Sequence, residues 1–136
     1  MRRLSPGSRA EVMFTVEEGM LARFGDREIH PVLSTWSLVH HLEWAARRLL
    51  ESCLEAGEEG VGAGVDVRHL APAPLGTELR ARAELLRQSE HSFVCSVQAQ
   101  GPAGPVAEGV VYQAVWPRDP LQRTLLAGSQ RSDSED

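Results

Sequence analysis

Thr35, Glu43 and His69 are the residues of this sequence whose types and order suit acid–base chemistry. A carboxylate and an imidazole are the minimal kit for moving protons near neutral pH. A hydroxyl beside them can orient a substrate, a water or the carboxylate itself. Glu43 stands in an apolar stretch, Leu38-Val39-His40-His41-Leu42-Glu43-Trp44-Ala45, eight positions after Thr35. His69 follows twenty-six positions later, at the end of a strand-like run. A carboxylate where burial threatens is costly unless it is paired or neutralised, so chains keep one there for chemistry or for a polar network. Each residue also has a plain structural reading. Thr35 can be a helix cap, Glu43 an edge residue reaching solvent, and His69 a surface histidine. The residues alone leave both readings open.

The elements that must position them are legible as patterns. Glu11 to Val16 reads as a first strand, after a frayed segment 1–9. Glu17 to His30 reads as a loop with at most a helical turn. A helix follows, with Ser34 or Thr35 as its N-cap. Leu38, Leu42, Ala45, Leu49 and Cys53 recur at spacings of three and four, with Val39, Ala46 and Leu50 as a second row. Glu43 lies on the edge of that wide apolar arc, and Gly57 is a plausible stop. After Gly60 the period changes to two. Ala63–His69, Leu79–Leu85, Phe93–Ala99 and Val106–Trp116 read as strands, with hairpin connections at 88–90 and 101–105. One strand, one long helix and four strands predict an α+β domain over 1–127, with a helix packed on a five-stranded antiparallel sheet. Residues 128–136 are Ser/Asp-rich and read as a disordered tail. One helix cannot cover such a sheet alone, so the leftover apolar surface predicts a homodimer, or a tetramer.

Composition excludes several classes. The net charge of −5 argues against a nucleic-acid binder, which needs a basic face. No apolar run reaches a membrane span, and no signal sequence is visible, so a cytoplasmic location is the expectation. Cys53 and Cys95 lack metal spacing and read as two buried thiols. His40 and His41 point about 100° apart on a helix, so no metal site is expected from them. Gly60-Val61-Gly62-Ala63-Gly64 precedes a strand, where a phosphate loop would precede a helix. It is either a strand start with close packing or a backbone N–H presented to a substrate oxygen.

Pro31-Val32-Leu33-Ser34-Thr35, Leu42-Glu43-Trp44-Ala45, and Gly62 through Val67-Arg68-His69-Leu70-Ala71-Pro72 together resemble the hot-dog thioesterases, in their fluoroacetyl-CoA thioesterase-like branch. The resemblance spans about Val12 to Trp116. It implies a hot-dog fold, a long central helix wrapped by the sheet, and a dimer with active sites near the interface. It implies hydrolysis of an acyl thioester, most readily acyl-CoA, with CoA part of the substrate and no other cofactor. Thr35, Glu43 and His69 would be the catalytic group, and Gly62 N–H would face the thioester carbonyl. Glu43 would serve as nucleophile or as base. The specialised member has an aromatic lid before the threonine, where this chain offers only Phe24. Bulky Trp36 follows Thr35, so fluoroacetyl specificity is not expected, and Trp36 would reshape the acyl pocket or simply pack. Two other functions share the scaffold. A non-catalytic acyl-ligand binding module needs no glutamate or histidine. An enoyl-thioester hydratase needs an Asp/His pair at the helix start, and Asp26 and His30 precede the helix.

Overall fold

Ser34 decides where the long helix begins. Its extended backbone breaks from the preceding strand, and its hydroxyl accepts from Ser37 N–H at 3.2 Å, satisfying an orphan donor of the first turn. The helix, α1, runs Thr35–Glu51. Between the two cap candidates the structure selects Ser34, which leaves the Thr35 hydroxyl free. The apolar stripe Leu38, Leu42, Ala45, Leu49 and Cys53 is buried, with Ala46 and Leu50 from the second row. Gly57 is not the stop. The helix ends six residues earlier, and Gly57, at φ +83°, makes the turn into the next strand.

The computed structural model describes residues 1–135. Strands β1 (Arg9–Thr15), β4 (Glu58–His69), β5 (Glu78–Gln88), β6 (Ser92–Gly101) and β7 (Gly104–Pro117) form one antiparallel sheet in the order β1-β5-β6-β7-β4. The five expected strands, the first one and the four read from the period-two pattern, are therefore present, and both expected hairpins join consecutive neighbours. The sheet wraps α1. Phe93, Leu79, Val97, Val111 and Val115 close the core from the sheet side. Val39 escapes that core and stays half-exposed.

Three segments depart from the sequence pattern. The stretch read as a loop contains one 3₁₀ turn (Glu18–Met20) and then a two-stranded hairpin, β2 (Leu21–Phe24) and β3 (Arg27–Leu33). Its two-residue turn is Gly25-Asp26, with Gly25 at φ +61°. The polar flanks Arg23, Arg27, Glu28 and His30 hid the alternation. The N-terminal segment is not frayed. Arg2 N–H donates to Cys53 O at 2.7 Å, and Leu4 N–H donates to Gln88 Oε1 at 3.0 Å. At the other end, α2 spans Arg118–Glu135, through most of the segment read as a disordered tail; Asp136 lies outside the described residues. Pro120 fits its first turn because that N–H has no helical partner in any case. No helix among the described residues is long and apolar enough to cross a membrane.

His41 is enclosed by this fold. Its ring stacks on Phe14 of β1 at 3.7 Å between centroids, and Nδ1–H donates to Ser37 O at 2.7 Å. Burial pushes its pKa below the ordinary 6.5, and His40 alongside adds to this. The unfolded chain therefore takes up that proton at a higher pH than the folded one. Stability is lost as pH falls through 6.5 and below. The melting temperature is expected to drop between pH 7.5 and pH 5.5, by less in His41→Phe. Leu42→Ala, which empties a fully buried site, is expected to cost about 2–5 kcal/mol in chemical denaturation.

Candidate active site

Thr35 and His69 meet. Thr35 is the first residue of α1, and His69 is the last residue of β4. Helix and strand run in opposite directions, so these two ends come together, with Oγ1 3.1 Å from Nδ1. Which atom donates is set by the imidazole tautomer. When Nδ1–H donates to Thr35, Nε2 is left as a base. That Nε2 is buried and has no hydrogen-bond partner among the described residues. An unpaired buried polar atom costs about 1–3 kcal/mol, so its retention calls for an explanation, and proton transfer is one.

The pair lines a cleft of about 310 Å³ between the β2–β3 hairpin and the end of β4. Ala22, Val32, Leu70, Ala71 and Pro72 supply apolar walls, and His30 is the one other ionisable side chain there. The hairpin walls are the part of the site that the sequence pattern missed. The signal available was the Gly25-Asp26 turn.

Glu43 is elsewhere. It sits in a second groove of about 580 Å³, with Trp36, Val39, His40, Gly62 and Gln113 among its walls. Eight residues of helix place its backbone about 12 Å along the axis from Thr35. Gly62 lies seven residues from His69, up to about 23 Å along an extended strand. Glu43 is exposed, and it makes no hydrogen bond or ion pair with the described residues. Its carboxylate and Gly62 do belong together. A Cβ built on Gly62 would lie 3.5 Å from Glu43 Oε2. Within one chain the five expected site residues thus form two clusters, Thr35 with His69, and Glu43 with Gly62 and Trp36.

The second groove is firmly framed. Arg47 donates to Glu51 Oε1 at 2.8 Å, to Glu59 Oε1 at 3.0 Å and to Gly60 O at 2.7 Å, tying α1 to the start of β4. Its guanidinium is thereby committed and leaves Glu43 unpaired. Gln113 is buried and donates to Ala46 O at 3.1 Å, which holds β7 against the helix. Trp36 and Trp44 remain 55% and 47% exposed, a large apolar area on the outer side of α1. His41 is turned away into its stack on Phe14.

The two glycines facing α1 are expected to respond differently to a methyl group. A Cβ on Gly60 would collide with Leu50 Cδ2, a buried core atom. Gly60→Ala should destabilise by about 1–3 kcal/mol. On Gly62 the nearest atom is the end of the flexible Glu43 side chain, so Gly62→Ala should stay within about 1 kcal/mol of the parent in urea denaturation while perturbing the groove.

The model of the fluoroacetyl-CoA-specific thioesterase family matches residues 16–119. A Thermus thermophilus hypothetical protein of the thioesterase superfamily is 29% identical, with a TM-score of 0.95 over 98% of this chain and 99% of that one. A hot-dog-like protein from Thermanaerovibrio acidaminovorans is 26% identical, with a TM-score of 0.82 over 90% of each chain. The fluoroacetyl-CoA thioesterase FlK is 23% identical, with a TM-score of 0.85 over 93% of this chain and 98% of that one. None of the curated proteins matches the sequence significantly. With its five-stranded sheet wrapped around one long helix, the chain has the hot-dog fold and belongs to the fluoroacetyl-CoA-specific thioesterase family.

Proposed function

We propose that this protein hydrolyses a small or medium acyl-CoA to the free acid and CoA. The observation that carries the reading is the Thr35–His69 pair at 3.1 Å, with an unpartnered Nε2, in a cleft whose other walls are mostly apolar. Membership of a thioesterase family supports it. A relative 25% identical has been solved with fluoroacetate and CoA bound. The cleft holds no Arg or Lys to meet an acyl carboxylate, so a neutral acyl group fits it best. This chain also lacks aromatic walls there, since Phe24 stands 79% exposed at the hairpin tip, which argues against fluoroacetyl specificity.

The two clusters are joined by dimerisation in this proposal. β4 is an edge strand of twelve residues, rich in glycine and valine, with Val65 45% exposed. Such an edge calls for a partner. Two copies pairing β4 to β4 antiparallel would run the start of one strand beside the end of the other. That brings the partner's Glu43 and the partner's Gly62 toward Thr35 and His69. It also covers apolar surface around Trp36 and Val65.

The chemistry then has all its parts. Gly62 N–H polarises the thioester carbonyl as charge develops on its oxygen. Glu43 attacks the carbonyl carbon, or removes a proton from a water that does. The C–S bond breaks, and His69, entering as the imidazolium with Nδ1–H on Thr35, gives its Nε2 proton to the departing CoA thiolate. If Glu43 attacks, water then cleaves the acyl anhydride, the now neutral Nε2 takes the proton that this water loses, and the Glu43 carboxylate and the free acid are released. If Glu43 acts as base, it passes the water's proton back to His69.

Free thiol released from a panel of neutral acyl-CoAs tests the activity. Glu43→Gln and His69→Ala are each expected to lower kcat by about 100-fold or more, the usual size of a general acid–base contribution. Unchanged turnover in both would sink the residue assignment. Two inactive variants, unfolded together and refolded as mixed dimers, would contain one intact composite site per heterodimer. About a quarter of the parent activity should return, the statistical share for a two-fold dimer. No recovery in mixed dimers shown to have formed would place each site within one chain.

A second reading is a non-catalytic acyl-ligand binding module. The exposure of Glu43 and its placement apart from His69 favour it. It requires acyl-CoA binding without turnover and indifference to Glu43→Gln.

A further inference from the structure

Side chains alternate along a strand, so residues an odd number apart face opposite sides. Gly62 and His69 are seven apart, yet both face α1. Gly62 pairs with Gln113, whose buried side chain reaches the helix, and His69 pairs with buried Ala107. Gly64 pairs with Tyr112 on the opposite face, and a Cβ on Gly64 would meet the Tyr112 ring. Ala63 lies between these two pairs and has no partner on β7. It is a one-residue bulge, and it changes the phase of the strand. Before it Gly60 and Gly62 face the helix; after it Val65, Val67 and His69 do.

We propose that Ala63 is a positioning residue of the thioesterase site, acting by its presence in the count of β4 rather than by its side chain. The inference rests on the thioesterase reading for its effect on turnover. Without the extra residue His69 faces the outer side of the sheet, away from Thr35, unless the first half of the strand inverts. That half is pinned. Inversion would direct Val61 at the helix where even a Cβ on Gly60 collides with Leu50, and Arg47 holds Gly60 O. The second half is pinned as well. Gly109 of β7 approaches Asp66 and Val67 so closely that a Cβ there would overlap the β4 backbone. The bulge therefore sits between two locked half-strands, and it lets Gly62, whose helix-facing side lies against Glu43, and the imidazole share one side of the sheet. This holds whether the two meet in one chain or across two copies, because paired β4 strands continue a common inner face.

Two kinds of variant separate count from chemistry. Ala63→Gly and Ala63→Val keep the count; deletion of Ala63 and insertion of one alanine after it both invert the phase. The substitutions are expected to keep kcat within about threefold. Deletion and insertion are expected to lower kcat more than 100-fold with KM changed by less than threefold, a loss on the order of 2.7 kcal/mol in transition-state stabilisation. A second readout needs no turnover. The His69 ring proton resonance should shift on Thr35→Val in the parent and in the substituted proteins, but not in the deletion or insertion variant. If the parent hydrolyses no thioester, this readout still decides the positioning role. Folded deletion or insertion variants that keep the Thr35 response, or kcat within threefold, overturn the proposal. So does a substitution that costs as much as deletion. Failure of both phase variants to fold also overturns it, because the bulge would then serve the fold and not the site.

Discussion

One constraint governs the rest of the molecule. A single helix must bury a wide apolar arc against a curved sheet, and it must lie antiparallel to the strand at that sheet's edge. Leu38, Leu42, Ala45, Ala46, Leu49 and Leu50 fix the rotation of α1 about its axis. Once that rotation is fixed, Thr35 lands at the end of β4 and Arg47 at its beginning. Glu43 then has no choice of side. It faces outward from the core, over Gly62, at the open edge of the sheet. The candidate site residues are thus placed by the packing residues of the core.

The same constraint explains what was legible. Period and length disclosed the helix and all five strands of the main sheet, because each element buries one face and the alternation records it. Ser34 against Thr35 was not decidable by type, since both hydroxyls can cap. The β2–β3 hairpin was invisible to periodicity because His30, Glu28 and Arg23 break the alternation and the hairpin pairs with itself outside the main sheet. Helix α2 was unreadable for a related reason. Its described side chains, from 118 to 128, are almost all exposed, so composition carried no trace of a buried face.

For the site, residue types and order were legible, but grouping was not. Thr35 and His69 were expected together and do meet. Glu43 was expected to join them and stands in the neighbouring groove. Spacing along a chain gives a list of participants. It does not say whether they converge in one copy, because helical rise and strand rise separate positions that look close in the list. The bulge at Ala63 is the sharper case. A strict alternation starting at Ala63 had suggested the face that His69 shares with Val65 and Val67, which holds, but the glycines before it obey the opposite phase.

The two cysteines acquire a meaning beyond packing. A molecule working on thioesters is surrounded by activated acyl groups, and any accessible thiolate of its own invites exchange and self-acylation. Cys53 and Cys95 are both fully enclosed. Burial raises the pKa of the first and pushes that of the second up to about 12. Neither presents a thiolate at neutral pH, since the thiolate is the attacking form. The core that orients α1 also keeps the protein's own sulfur buried and in the thiol form.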